Sequence, residues 1–174
     1  MCYAVDEKIK RKQAREMPRI SDWLVMQRPE ERGVAIRSQV PLKDLENKIT
    51  DSRDKLEAYL RHIGVRPAGN FFVTYHSFSK KEVDLEAGFL TANKATGREE
   101  IIPVTKKAGL YLTCIHQGRR QTIPTVYREM NTWLQDHHFS TTGESEEIYL
   151  NIDVQEALLV TQILIPILED VNGE

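Results

Sequence analysis

The sequence predicts an α+β fold in which duplicated β-α-β-β units form a mostly antiparallel sheet, with two helices on one side and a central ligand groove. Three observations carry this expectation: the chain repeats itself, its apolar residues alternate in short runs, and each repeat holds one stretch with helical periodicity. Setting "RDKLEAYLRHIGVRPAGNFFVTYH" from Arg53 over "YREMNTWLQDHHFSTTGESEEIYLN" from Tyr127 puts Leu60 over Leu134, Tyr59 over Trp133, Gly69 over Gly143 and Tyr75 over Tyr149. A period of about 74–76 residues is too long for a solenoid and reads as an internal duplication. At 174 residues the chain suits one domain with a short extension. Residues 1–21 read as an N-terminal extension or linker helix and residues 22–170 as the domain, with halves at about 22–92 and 98–168.

In the first half, "DWLVMQR" (22–28) and "VAIRSQV" (34–40) read as strands. A helix is expected from near Pro41, carrying Leu42, Leu45, Ile49, Leu56, Tyr59, Leu60 and Ile63 on one stripe, with Gly64 placed to cap its end. "NFFVTYH" (70–76) and "VDLEAGFL" (83–90) complete the half. In the second, "EEIIPVT" (99–105) and "LYLTCIH" (110–116) lead into a helix with Pro124 early and Val126, Tyr127, Met130, Trp133 and Leu134 on one face. "EEIYLNI" (146–152) and "LLVTQILI" (158–165) close it. Short strands of alternating polarity favour an antiparallel sheet with helices on one face.

Composition excludes several classes. A formal net charge of −2 gives no basic footprint for nucleic acid, so no direct DNA contact is expected from this chain. The segment ahead of Gly33 is also too short for a helix-turn-helix unit. The mixed, mostly basic run "DEKIKRKQAR" (6–15) reads as a solvated helix face, and a homodimer through this N-terminal segment is one assembly it permits. Cys2 and Cys114 are placed too differently for a structural disulfide, which suits a reducing cytoplasm. No stretch has the length or character of a membrane span or a signal peptide. The five histidines are scattered without ligand spacing, so neither a metal nor a cofactor is expected.

The expected groove lies between the halves, on the sheet face opposite the helices. From Glu144 onward, alternation gives one face of Glu147, Tyr149 and Asn151 and another of Ile148, Leu150 and Ile152. The apolar set is expected under the helices and the polar set in the groove. Val73 and Tyr75 face the groove by the repeat, Glu86 and Gln162 from the closing strands, and Tyr111 by its own alternation with Leu110 and Leu112. Asp84, and Glu86 with it, fits either the groove or a solvated edge strand. His116 and Gly118 read as shapers of a strand-to-helix turn, with no nucleophile elbow nearby.

These residues resemble a known family. "YHSFSKKEVDLEAGF", "HQGRRQTIPTVYREMNTWL", "EEIYLN" and "TQILIPI" occur in the order and spacing of GyrI-like effector-binding domains, which include the C-terminal sensors of MerR-type and AraC-type multidrug-responsive regulators. The resemblance covers about residues 22 to 168. It implies a duplicated β-α-β-β fold and a pocket between the halves for amphipathic or cationic organic compounds. In such sensors the carboxylate of the "E-x-Y" strand reads the ligand's charge, a position held here by Glu147. Tyr75, Tyr149 and Trp133 would offer ring faces for cation–π contact, each worth about 0.5–2 kcal/mol. The resemblance also implies two alternatives: hydrolysis of cyclopropane-bearing or other electrophilic xenobiotics by groove glutamates, and inhibition of DNA gyrase. Gln162 stands where the family's second acid is usual, which counts against acid–base chemistry. No catalytic residue is assigned; an enzyme would use Glu147, with Glu86 or Tyr149 beside it.

Overall fold

The computed structural model describes residues 19–168, so the linker helix expected within residues 1–21 lies almost wholly outside the described residues. Ile20 extends the first strand, its amide donating to the Ile115 carbonyl at 2.9 Å. The strands are β1 (Leu24–Arg28), β2 (Glu31–Pro41), β3 (Phe72–Phe78), β4 (Glu82–Leu90), β5 (Ile101–Lys106), β6 (Gly109–Gln117), β7 (Ser140–Thr141), β8 (Ser145–Tyr149) and β9 (Val160–Leu168). Helix α1 spans Leu45–His62 and α2 spans Ile123–Asp136, each entered through a short 3-10 turn. The stripe expected on α1 buries Ile49, Leu56, Tyr59 and Leu60, and Gly64 takes φ +69° just past its end. Leu42 and Ile63 fall outside the helix and remain exposed.

All strand pairs among the described residues are antiparallel, in the order β1-β6-β9-β8-β3-β4-β2-β5, with β7 beside β9. Read outward from the centre, this order displays the duplication. Strands β8 and β3 adjoin, β9 and β4 flank them, and β6 and β2 come next. Val73 lies directly opposite Glu147 at the seam, each the repeat counterpart of the other. The outermost strands are exchanged: β1 precedes β2 in the chain but pairs with β6, and β5 precedes β6 but pairs with β2.

This exchange forces the sheet to curl. Only Pro29 and Glu30 join β1 to β2, although the two strands stand near opposite ends of the order. So short a link reaches only about 10 Å, and the sheet must bend until its ends approach. Side chains far apart in strand order therefore meet inside the curl. Arg28 pairs with Glu31 at 2.5 Å and with Glu146 at 2.7 Å. Lys106 ends β5 as Arg28 ends β1, and pairs with Glu86 at 2.8 Å and Glu146 at 3.2 Å. Thr74 donates to Glu146 at 2.8 Å, and the Lys106 ammonium lies 4.0 Å from the Phe72 ring centroid. Burial alone would raise the Glu146 carboxyl, but the charges of Lys106 and Arg28, with hydrogen bonds from Arg28 and Thr74, hold it below its ordinary value.

Both helices cover the outer face. Ile163, Glu147 and Val73 stand side by side across β9, β8 and β3, hence on one face. Ile163 packs with Ile123, Val126, Met130 and Leu134 of α2, while Val73 packs with Ile49, Leu56 and Leu60 of α1. The two helices lie over their own halves, α1 against β2 and β4 and α2 against β6, and leave the β3–β8 seam open between them. The groove therefore lies on the helix-bearing face, not on the opposite one. The opposite face is closed by the curl, and Ile148 points there, lining a smaller cavity of about 230 Å³ rather than packing under a helix.

Candidate functional site

The trough between the helices is a cavity of about 730 Å³ whose floor is the β3–β8 seam. Strand β8 opens after Gly143, which turns the chain at φ +83°. Its alternation then divides the acidic run. Glu146 turns into the curl and its ion pairs, whereas Ser145, Glu147 and Tyr149 face the trough. Tyr75 joins them from β3. Leu45, Glu46 and Ile49 of α1 form one wall, and Ile123, Pro124 and Tyr127 of α2 form the other. Phe78, Arg120 and Glu144 complete the lining, and Glu144 meets His76 Nδ1 at 2.6 Å.

Glu147 is 5 % exposed, and three tyrosine hydroxyls converge on it. Tyr149 donates to Oε2 at 2.9 Å, Tyr75 to the same oxygen at 3.4 Å, and Tyr127 to Oε1 at 3.3 Å. Among the described residues no Lys or Arg forms an ion pair with it. Burial pushes its carboxyl above the ordinary value, against the pull of the Tyr149 hydroxyl, the Arg120 charge and the other two hydroxyls. The three phenols are pushed well above theirs, first by burial and next, for all three, by the Glu147 charge. They stay protonated and act as donors. The result is a carboxylate acceptor wrapped by aromatic rings at the bottom of a cavity.

Of the residues expected to bind ligand, Glu147, Tyr149 and Tyr75 line this trough. The other five lie elsewhere. Glu86 pairs with Lys106 inside the curl, so it is across the sheet from Glu147 and no partner for it. Gln162 also faces inward, donating to Thr113 Oγ1 at 3.1 Å and lining the smaller cavity. Tyr111 lies beneath the Arg28 guanidinium, 5.6 Å from its ring centroid. Asn151 sits beyond the end of β8 and closes its loop, donating to the Leu158 carbonyl at 2.9 Å and accepting from the Val160 amide at 2.7 Å. Trp133 stacks on His137 and Phe139 beside the α2 core. Asp84 is held by Arg37 through two exposed hydrogen bonds, on a strand that is flanked by β3 and β2 and is no edge. His116 is buried at the strand-to-helix turn, its Nε2 2.7 Å from Thr122 Oγ1.

The lining residues not expected from the sequence include Tyr127, Arg120 and Glu144. Tyr127 was placed on the apolar face of its helix, yet a phenol within an apolar stripe requires a buried partner for its hydroxyl, and that requirement was the available signal. Arg120 is brought inward by the turn that follows Gly118, where φ +128° favours glycine.

Among solved structures the chain resembles the EcmrR–DNA complex within the EcmrR-RPo assembly, at 19 % identity and a TM-score of 0.77, covering 94 % of this chain. It spans only 63 % of that protein's chain. The separate EcmrR C-terminal domain matches at 20 % identity and a TM-score of 0.67, with 84 % of this chain and 97 % of that one covered. SAV2435, solved bound to tetraphenylphosphonium, matches at 10 % identity and a TM-score of 0.61, covering 86 % and 95 %. At these identities the likeness is one of fold. No curated protein matches the sequence. No helix among the described residues is long and apolar enough to cross a membrane. The profile of the GyrI-like small molecule binding domain matches residues 25–168, and with that match across most of its length the chain belongs to this family.

Proposed function

We propose that the trough binds an amphipathic organic cation, and that the domain is the effector sensor of a cytoplasmic bacterial transcription regulator, or a stand-alone relative of one. One observation carries the reading: a buried carboxylate with three tyrosine donors and, among the described residues, no Lys or Arg paired to it, at the floor of a 730 Å³ cavity. Holding such a charge without a counterion costs the fold several kcal/mol, and a bound cation returns part of that. Tyr75 adds a ring face, worth about 0.5–2 kcal/mol to a cation, whereas the Tyr149 ring is already stacked on Phe71 and carries Arg120. The complex of SAV2435 with tetraphenylphosphonium and the presence of EcmrR on DNA are in keeping with this reading. As a sensor, the domain would bias an attached unit only through unequal ligand affinity for its two states.

The test is a thermal-shift comparison of tetraphenylphosphonium with tetraphenylborate, which has the same shape and the opposite charge. At about 100 times its dissociation constant the cation should stabilise the protein by about 2.7 kcal/mol. The borate should give no comparable shift, and Glu147→Gln should abolish the cation's effect. Equal shifts from both ions, or an undiminished phosphonium shift in Glu147→Gln, would remove Glu147 from the role.

A further inference from the structure

Arg119 and Arg120 are neighbours with opposite fates. Arg119 is largely exposed and approaches Glu156 at 3.7 Å. Arg120 turns into the trough, where its guanidinium carbon lies 4.8 Å from the Tyr149 ring centroid. The turn that aims it is well anchored: the amide and hydroxyl of Thr122 both donate to the Arg119 carbonyl, at 3.0 and 2.7 Å. A guanidinium has five N–H donors in its plane, and stacking on a ring occupies only its face. Among the described residues no hydrogen bond or ion pair reaches those donors. Arg128, on the same side of the cavity, differs in donating to Thr125 Oγ1.

Tyr149 links the two charges of the site. Its hydroxyl donates to Glu147 and its ring carries Arg120, so a carboxylate and a guanidinium stand at two places along one side chain. Arg120 attracts Glu147 through its charge but, among the described residues, forms neither an ion pair nor a hydrogen bond with it. A ligand with only a positive charge would meet attraction from Glu147 and repulsion from Arg120. We propose that Arg120 is a specificity-determining residue and that the trough prefers an amphoteric molecule: an aromatic organic cation that also carries a carboxylate about one ring away, accepted by the in-plane donors of Arg120. This deepens the cation-binding reading and rests on it. Carboxylate–arginine contact is directional and charge-assisted, so it discriminates as well as attracts.

Rhodamine 110, a xanthene cation with a free benzoate, and rhodamine 123, its methyl ester, differ only in that anion. Fluorescence anisotropy of both dyes with wild type, Arg120→Gln and Glu147→Gln separates the two readings. Wild type should bind the acid at least tenfold more tightly than the ester. Arg120→Gln should weaken the acid at least tenfold and leave the ester unchanged or tighter. Glu147→Gln should weaken both dyes, a result that bears on the cation reading alone. An ester bound as tightly as the acid, or equal losses for both dyes in Arg120→Gln, overturns the role of Arg120 while the cation reading stands. Independently of either dye, benzoate titrated into wild type should shift the Arg120 Nε–Hε NMR resonance saturably. No shift overturns the proposal.

Discussion

Glu147 should cost the fold stability, and its replacement by glutamine should show how much. An unpaired buried carboxylate loses several kcal/mol of hydration. Of its three tyrosine hydrogen bonds, only that from Tyr149, at 2.9 Å, has full-strength geometry; those at 3.3 and 3.4 Å are weak. With a bond to a charged group worth about 1.5–3 kcal/mol, the three together leave a deficit of about 1–2 kcal/mol. Glutamine has nearly the same shape, still accepts from two phenols, and can donate to the third. Glu147→Gln is therefore expected to stabilise the protein by about 1–2 kcal/mol at pH 8, or about 2–8 °C in Tm for a domain of this size. The pH dependence has a fixed sign. Burial raises the folded-state pKa, so the penalty is absent below the ordinary glutamate range, grows as pH rises through the folded-state value, and is complete above it. Urea denaturation of both proteins at pH 8, 6 and 4 should show a gap that closes toward acid. A variant less stable than wild type at pH 8, or a gap that does not change with pH, would refute the reasoning.

Tyr149→Phe removes the shortest donor to Glu147 and should raise that carboxyl further, moving the acidic limb of phosphonium binding to higher pH; a titration of affinity against pH reads the shift, and an unmoved limb contradicts it. Arg28→Met leaves Lys106 as the cation paired with Glu146 among the described residues and should destabilise by about 1.5–3 kcal/mol in urea, whereas a change below about 1 kcal/mol would mean the network is dispensable. The stability supplied by Glu146, whose folded-state pKa is depressed, is present above the ordinary glutamate range and lost as pH falls through the folded value; in Arg28→Met that acid loss should begin at higher pH.

The elements were legible because they are locally encoded. Alternation marks the strands from Leu24 to Leu168, and the Leu56–Tyr59–Leu60 stripe marks α1. Strand β7, two residues long, carries no such pattern. Neighbourhood was not legible, since a repeat shows which strands correspond and not which ones pair. Glu86 and Gln162 were misplaced for this reason: alternation fixes the face of a residue within its own strand, but only the register opposite Thr74 and Ile148 shows that they share the inner face. The choice of face failed because polarity was read as exposure. Glu147 and its tyrosines look like a solvent-side set, yet they lie under the gap between two helices. Asn151 lies past the last paired residue of β8, where alternation no longer governs direction.

The exchange of outer strands makes the order of events during synthesis unusual. Leu24 emerges early but pairs with Thr113, so β1 has no place to settle until β6, in the second half, has left the ribosome. Strand β2 settles on β4 of its own half, but its outer edge stays bare until β5 arrives. Neither half can finish its own sheet, and both must be present before either is complete. Such long-range pairing predicts slow, late folding with bare strand edges exposed meanwhile, the condition in which newly made chains most often need chaperones. The same interlock gives the finished domain a chain that cannot come apart at the middle without losing both edges at once.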